Sequence, residues 1–406
     1  MIIRPVKYIL LVLTFISFSQ CTLLKEDSYS GAGIQHRQLF QNNKELDGTI
    51  KEMVEQMSLD ELAGQMIISY PDRDIVQMGV GGVIFFHHHI KNQKGIKERI
   101  KDFNKLSSIP LLVMIDQEGG MVNTLKNIKQ YRNMPSARGF GKWGEPRIVE
   151  YNADLGSYMK ELKINTVLAP CLDVSAKGSL MYKLKRSFHD TVSVVEKKGA
   201  AFARGFQKAG VLTVGKHFPG YGEAMKNSDI SVVLYPVSLE KLEEYISVYK
   251  KIREYLDGIM MSSIIYSGID MVPAVFSKKL VKMAREVLPE GLIISDDIQS
   301  KAIREYIRQY LKKEEKTIER ETVIHSRDLP YSWPFTISEI KYTVDHAFDA
   351  GITLFLTLDP QKAIFIKHYL KEKAENDPDD LDRLKYNVYL ILKKKMKIYK
   401  EYSPNV

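Results

Sequence analysis

A series of eight short apolar runs, separated by stretches with helical periodicity, most constrains what this chain can fold into. Nearly every residue of each run is apolar, as expected for parallel strands that are buried on both faces. Eight such strands alternating with helices are typical of a (β/α)8 barrel, and an open doubly wound sheet is the alternative. We therefore expect an α/β, TIM-barrel-like single domain. The runs are QMIIS, GGVIFF, PLLVMID, INTVLAP, VLTVGKHF, DGIMMSS, GLIISD and GITLFLTL.

The composition is that of a folded protein with a substantial core. Of the 406 residues, 44% are apolar and 27% are charged, which excludes a globally disordered chain. The formal net charge is +9, and much of the excess lies on lysine-rich helix faces such as LKKKMKIYKEY near the C-terminus. The sequence contains no basic motif interleaved with aromatic residues, so we expect no nucleic-acid partner.

Residues 1–21 resemble an export signal. Arg4 and Lys7 precede the apolar run YILLVLTFISFS, which is short for a membrane span, and Cys21 follows it directly. A cysteine in this place predicts lipid attachment at a new N-terminus, although Gln20 makes FSQC fit only a relaxed lipobox. Plain secretion is the alternative. We therefore expect an exported protein of the cell envelope that is bound to the membrane through a lipid anchor on Cys21.

The rest of the chain divides into a tether and a folded body. Residues 22–46 are polar and aperiodic and predict a flexible tether. Residues 47–406 contain the predicted barrel, near whose start Ser58 and Glu61 have the spacing of a capping box. The segment 301–338 is longer than a standard connection and predicts an insertion over the barrel mouth. Helical periodicity returns at the C-terminus and predicts a helical tail.

Polar residues collect where the predicted strands end. Because the carboxyl ends of barrel strands form one rim, such residues point to a catalytic site there. Two aspartates follow the seventh strand in IISDD, and only one of two successive strand side chains can enter the site. By residue type alone that carboxylate is a nucleophile for an anomeric carbon, a metal ligand or a helix cap. The polar rim residues are Asp116, Asp173, Lys216, His217 and Asp296.

Two further features invite a metal interpretation. His87, His88 and His89 follow a strand, where consecutive side chains diverge, so we interpret them as lining the rim. Cys171 is expected to be a buried thiol, and two cysteines give no disulfide framework. We therefore expect no metal site and no cofactor.

Several motifs occur together in one order: MSLDELAGQM, DQEGG, VLAPCLDV, KRSF, KHFPG and SDD. They resemble the N-terminal catalytic domain of glycoside hydrolase family 3, and within it the single-domain β-N-acetylhexosaminidases, over roughly Ile50 to Thr357. The resemblance implies a retaining glycosidase that cleaves terminal β-linked N-acetylglucosamine from cell-wall or related glycans. It implies that Asp296 is the nucleophile and that Asp173 has a supporting role. The implied sugar-binding residues are Asp116, Arg186, Lys216 and His217.

The loop after the fifth strand departs from the family pattern. That pattern reads KHFPGHGDTxxDSH, in which the second aspartate and the final histidine form an acid/base dyad. Here Asn227 and Asp229 stand at those two positions, and Tyr221 replaces the middle histidine. Because an amide cannot transfer protons, we expect Asp229 to be the acid/base, with Glu223 as the second candidate. A non-catalytic carbohydrate-binding lipoprotein on the same scaffold is the alternative function.

Overall fold

The computed structural model describes residues 46–313, 322–324, 329 and 332–402. The predicted signal segment with Cys21 and the predicted tether up to residue 45 lie outside them. Within these described ranges, no helix is both long enough and apolar enough to cross a membrane.

Eight parallel strands form the barrel that the apolar runs predicted. They are β1 (Ile67–Ser69), β2 (Gly82–Phe85), β3 (Leu112–Ile115), β4 (Thr166–Val167), β5 (Leu212–Phe218), β6 (Gly258–Met261), β7 (Leu292–Ser295) and β8 (Phe355–Thr357). From β1 to β7 each strand pairs with the next one in the chain, and β8 pairs with β1. The ring closes between β7 and β8 through a bridge from Ile294 to Leu354. This closed arrangement excludes the open doubly wound sheet.

Helices surround the barrel, and most of them connect one strand to the next. They are α1 (Leu46–Gln56), α2 (Leu59–Gln65), α3 (Arg73–Gln77), α4 (Gln93–Leu106), α5 (Ala137–Phe140), α6 (Glu145–Glu161), α7 (Leu180–Lys183), α8 (Val192–Lys208), α9 (Leu239–Ile252), α10 (Lys278–Val287), α11 (Lys301–Lys313), α12 (Ile337–Ala350), α13 (Pro360–Asn376) and α14 (Pro378–Tyr402). The predicted capping box opens α2, since Ser58 Oγ accepts from the Glu61 N–H and the Glu61 carboxylate accepts from the Ser58 N–H. The predicted C-terminal helix is α14, which buries Leu384, Val388 and Ile391.

Strand β5 differs from the other barrel strands because it carries charge into the interior. The strand extends through Lys216 and His217 to Phe218. Lys216 pairs with Cys171 beyond β4, and the register with β6 shifts between Gly215 and Phe218. Lys216 is 3% exposed and His217 is 5% exposed. Burying ionisable groups of this kind costs several kcal/mol unless they are paired. Their partners therefore define the floor of the site described below.

The predicted insertion between β7 and β8 begins with helix α11. Further along, Val323–Ile324 pairs antiparallel with Phe335–Thr336. The side chain of Lys362 in α13 donates to the carbonyl of Trp333, which fixes the end of the insertion to the helix after β8. Coverage of the barrel mouth stays a prediction, since residues 314–321, 325–328 and 330–331 lie outside the described ranges.

Candidate active site

A buried glutamate joins the two cations that were expected to bind sugar. Glu118 Oε1 lies 2.7 Å from Lys216 Nζ, and the same carboxylate accepts from Arg186 Nε at 2.9 Å and Nη2 at 2.8 Å. Burial alone would raise the pKa of Glu118, but Arg186 and Lys216 hold it well below its usual range. Sequence reasoning did not select Glu118 as a site residue. The only signal for it was the acidic cluster in DQEGG.

Two glycines let the chain turn directly after Glu118. Gly119 and Gly120 have φ values of +91° and +61°, a region that favours glycine. A Cβ atom on Gly119 would lie 1.9 Å from the carbonyl oxygen of Pro135. The segment Gln117–Gly119 then pairs antiparallel with Val122–Asn123, so the Gly-Gly step holds Glu118 under the site.

Lys216 lies between two carboxylates. In addition to Glu118, its Nζ contacts Asp116 Oδ1 at 2.5 Å. Burial would lower the pKa of Lys216, but the two negative charges raise it above its usual range, so the side chain stays a cation. Asp116 is more open than its partners, with 25% of its side chain exposed. It therefore presents a carboxylate oxygen to the space above β3 and β5.

His217 is held between an acceptor and a donor. Its Nδ1 lies 2.8 Å from Asp173 Oδ2, and its Nε2 lies 3.2 Å from Arg186 Nη2. A guanidinium group can only donate, so Nε2 accepts and Nδ1 carries the proton given to Asp173. Burial would raise the pKa of Asp173, and the interaction with His217 lowers it below its usual value. Asp173 thus has the supporting position that the motif resemblance implied.

One group of potential metal ligands overlaps this arrangement. Ligand atoms of Cys171, Asp173 and His217 lie within 4.8 Å of one another. Cys171 is buried and donates to Asp173 Oδ2 at 3.0 Å, and burial raises the pKa of its thiol. Hydrogen bonds join the three side chains into one buried network, in which Cys171 and Asp173 support His217.

The histidine run after β2 forms a short 3-10 helix. His88 Nε2 lies 2.6 Å from the hydroxyl of Tyr70, and His89 Nδ1 accepts from the Phe86 N–H at 2.9 Å. Burial lowers the pKa of His89 to about 3. Two of the three rings therefore already have hydrogen-bond partners, and the interpretation of the run as rim lining stays a prediction.

The loop after β5 brings Asp229 close to Asp296. The Asp229 N–H donates to Asn227 Oδ1 at 3.0 Å, and the Asp229 carbonyl accepts from the N–H of Ala302 at 3.3 Å. Ala302 lies in the first turn of α11, the helix that follows β7 and Asp296. This hydrogen bond therefore ties the loop of the predicted acid to the segment of the predicted nucleophile.

The surroundings of Asp229 favour its protonated form. Burial and the negative charge of Asp296 raise its pKa to about 6, while the positive charge of Arg186 opposes that rise. By its surface area Asp229 is nevertheless an exposed residue, as Glu223 is, so water screens part of the burial effect and part of the repulsion. Glu223, the second candidate, is exposed, and its N–H donates to the hydroxyl of Tyr235 at 3.3 Å. Asp229 is thus the candidate that interacts with Asp296.

The two aspartates after β7 have different neighbours. The Asp297 N–H donates to Asp296 Oδ1 at 2.9 Å, and Asp297 Oδ1 accepts from the N–H of Gln299 at 3.3 Å. Burial raises the pKa of Asp297 to about 7, although the positive charge of Lys362 opposes this and Asp296 adds to it. The backbone N–H of Asp297 thus supports the Asp296 carboxylate, while its side chain interacts with the charge of Lys362.

Comparison with known proteins decides the family. The model of the glycosyl hydrolase family 3 N-terminal domain matches residues 49–319. The chain belongs to this family of glycoside hydrolases. The match confirms the resemblance drawn from DQEGG, KHFPG and SDD.

Relatives and solved structures agree with that assignment. A β-hexosaminidase of Nitrosomonas eutropha is 30% identical over 254 residues, which cover 58% of this chain and 71% of the relative. A β-hexosaminidase of Photobacterium profundum is 29% identical over 238 residues, covering 57% of this chain and 70% of the relative. The crystal structure of a β-N-acetylhexosaminidase from Beutenbergia cavernae superposes with a TM-score of 0.69 at 22% identity, covering 84% of this chain and 99% of that one. This last similarity shows the shared fold.

The buried pairing predicts how much stability Glu118 provides. Glu118→Gln removes the negative charge between two largely buried cations, so we expect the free energy of unfolding at pH 7 to fall by about 3–5 kcal/mol. Urea denaturation measures the loss. Glu55→Gln is the matched control, because Glu55 pairs with Lys385 and its side chain is 65% exposed; we expect it to cost below about 1 kcal/mol. Equal losses in the two variants would contradict the role given to Glu118.

Proposed function

We propose that this protein is a retaining β-N-acetylhexosaminidase that removes terminal β-linked N-acetylglucosamine from cell-wall or related glycans. Its family and the names of its relatives support the activity. The observation that carries the mechanism is the placement of Asp229 beside Asp296, with a pKa raised to about 6. Two carboxyl groups with different protonation states are what double displacement at a glycosidic bond needs.

In the first step, a carboxylate oxygen of Asp296 attacks the anomeric carbon. As that bond forms, the glycosidic bond breaks and its electron pair goes to the leaving oxygen. Asp229 gives its proton to that oxygen, so an alcohol leaves and a covalent glycosyl-enzyme remains. Repulsion from Asp296 keeps the proton on Asp229 at a higher pH than an isolated aspartate would hold it.

In the second step, the roles of the Asp229 carboxyl group reverse. Now ionised, it takes a proton from a water molecule whose oxygen bonds to the anomeric carbon. The bond from that carbon to Asp296 breaks, and Asp296 leaves as a carboxylate. Two displacements at one carbon return the sugar with its original β configuration.

Arg186, Lys216 and the residues that contact them bind the sugar in this proposal. Nε and Nη2 of Arg186 donate hydrogen bonds to Glu118 and His217, which leaves Nη1 to donate to a sugar hydroxyl. The part-exposed carboxylate of Asp116 accepts from another hydroxyl, while Lys216 and His217 complete the polar wall. Because these groups are already fixed by one another, little order has to be gained when the sugar binds.

The same proposal includes export and anchoring at the cell envelope through Cys21. The basic residues, the short apolar run and the cysteine at its end support it. Cys21→Ser removes the thiol to which a lipid would be joined, so we expect the full chain to move from the membrane fraction to the soluble fraction of cells that express it. An unchanged distribution of the variant between the two fractions would contradict anchoring through Cys21.

Leaving-group dependence tests the acid role of Asp229. A dinitrophenyl N-acetylglucosaminide needs little proton transfer, whereas an alkyl glycoside needs a working acid, which is worth about 10²–10⁴ in rate. We expect Asp229→Asn to lose activity in that range on the alkyl glycoside and to retain glycosyl-enzyme formation on the activated one. Asp296→Ala abolishes turnover of both, and Glu223→Gln, the matched carboxyl control, changes neither.

The pH profile gives a second readout of the same group. Because the acid must be protonated, kcat/KM for the alkyl glycoside falls as the pH rises through about 6, and the Asp229→Asn variant lacks this limb. A loss in Glu223→Gln instead would transfer the acid role to Glu223. A wild-type protein that binds N-acetylglucosamine but cleaves neither substrate would favour the non-catalytic carbohydrate-binding alternative.

A further inference from the structure

Tyr221 is a buried side chain at the start of the loop that carries Asp229. Its backbone N–H donates to Asp173 Oδ1 at 2.8 Å, and its ring meets the His217 ring edge-on, with the centroids 5.2 Å apart. The residue is 2% exposed. The same aspartate and histidine that form the floor of the sugar site therefore also fix the tyrosine ring.

The tyrosine hydroxyl connects this floor to the residue next to the predicted acid. Tyr221 Oη lies 2.5 Å from Ser228 Oγ, and both groups are buried. Ser228 directly precedes Asp229 in the chain. On the other side of the serine, Asn227 Oδ1 accepts from the Asp229 N–H, so the backbone on both sides of Ser228 is in a compact turn.

The rest of the loop offers little apolar packing to hold that turn. Met225 is 58% exposed and Ile230 is 55% exposed, and Lys226 and Asp229 are exposed as well. The buried hydroxyl pair holds the turn from the side of the barrel floor, while the backbone hydrogen bond from Ala302 to Asp229 holds it from α11. The hydroxyl pair therefore helps to set where the turn lies over the site.

We propose that Tyr221 is a positioning residue whose hydroxyl, through Ser228, holds Asp229 within reach of the leaving-group oxygen. This inference rests on the proposed function of Asp229 as the acid/base. An aspartate side chain is shorter than a histidine side chain, so its reach is set by where the backbone lies. A fixed backbone therefore allows an aspartate at this position to act as the acid/base.

Tyr221→Phe tests the hydroxyl and keeps the ring that packs on His217. We expect activity on the alkyl glycoside to fall about 10- to 100-fold, part of the gain that proton transfer provides. The rate of glycosyl-enzyme formation from the dinitrophenyl glycoside, measured as the burst of released dinitrophenol, changes less than about twofold, because that step needs little proton transfer. The alkaline limb also moves to lower pH, because an Asp229 displaced farther from the site loses more of the desolvation and of the Asp296 repulsion that raise its pKa.

Two further variants separate positioning from a general loss of structure. Ser228→Ala removes the other half of the hydrogen bond and gives the same pattern, and the double variant is no worse than either single one. Tyr249→Phe is the matched control, since Tyr249 is fully buried and its hydroxyl has no hydrogen-bond partner in the described part of the chain. We expect it to leave both activities and the pH profile unchanged.

The outcomes distinguish this inference from the proposed function. If Asp229→Asn keeps full activity on the alkyl glycoside, the acid role fails and the positioning role fails with it. If Asp229→Asn loses that activity while Tyr221→Phe and Ser228→Ala retain it, only the positioning inference is overturned. Equal losses in the rate of glycosyl-enzyme formation on both substrates in Tyr221→Phe also overturn it, because they indicate general damage to the site.

Discussion

The rest of the site depends on one carboxylate, that of Glu118, buried between Lys216 and Arg186. Removing two cations from water costs several kcal/mol each unless charge and hydrogen bonds compensate for it. The carboxylate of Glu118 compensates for the burial of both cations at once, because its oxygens lie 2.7 to 2.9 Å from their nitrogen atoms. Strand β5 can therefore continue through a lysine and a histidine, and Arg186 can reach His217.

The opposite side of the site gathers negative charge. Asp229, Asp296 and Asp297 come from two loops that a hydrogen bond between Asp229 and Ala302 joins. Burial, with added repulsion from Asp296, raises the pKa values of Asp229 and Asp297 to about 6 and about 7. The barrel and its loop contacts maintain this arrangement, so Asp229 holds its proton to a higher pH than an isolated aspartate does.

The sequence predicted the barrel because strands buried on both faces have a simple signature of continuous apolar runs. It also predicted the rim, since polar residues interrupt those runs at one end. It did not reveal Glu118, whose partner Arg186 lies 68 residues away along the chain and is brought close only by closure of the barrel. The run VLTVGKHF predicted β5 through Phe218, where the strand ends, but the pattern could not show which buried partners Lys216 and His217 have. The contact of Tyr221 with Ser228 depends on a loop conformation that no periodicity encodes.

Trapping the covalent intermediate tests the central claim most directly. A fluorinated N-acetylglucosaminyl fluoride forms a glycosyl-enzyme that breaks down slowly, and proteolysis with mass spectrometry then locates the modified residue. The account predicts a single sugar adduct on Asp296 that is absent from Asp296→Ala. An adduct on Asp229 or Asp297, or hydrolysis that inverts the anomeric configuration without an adduct, would contradict it.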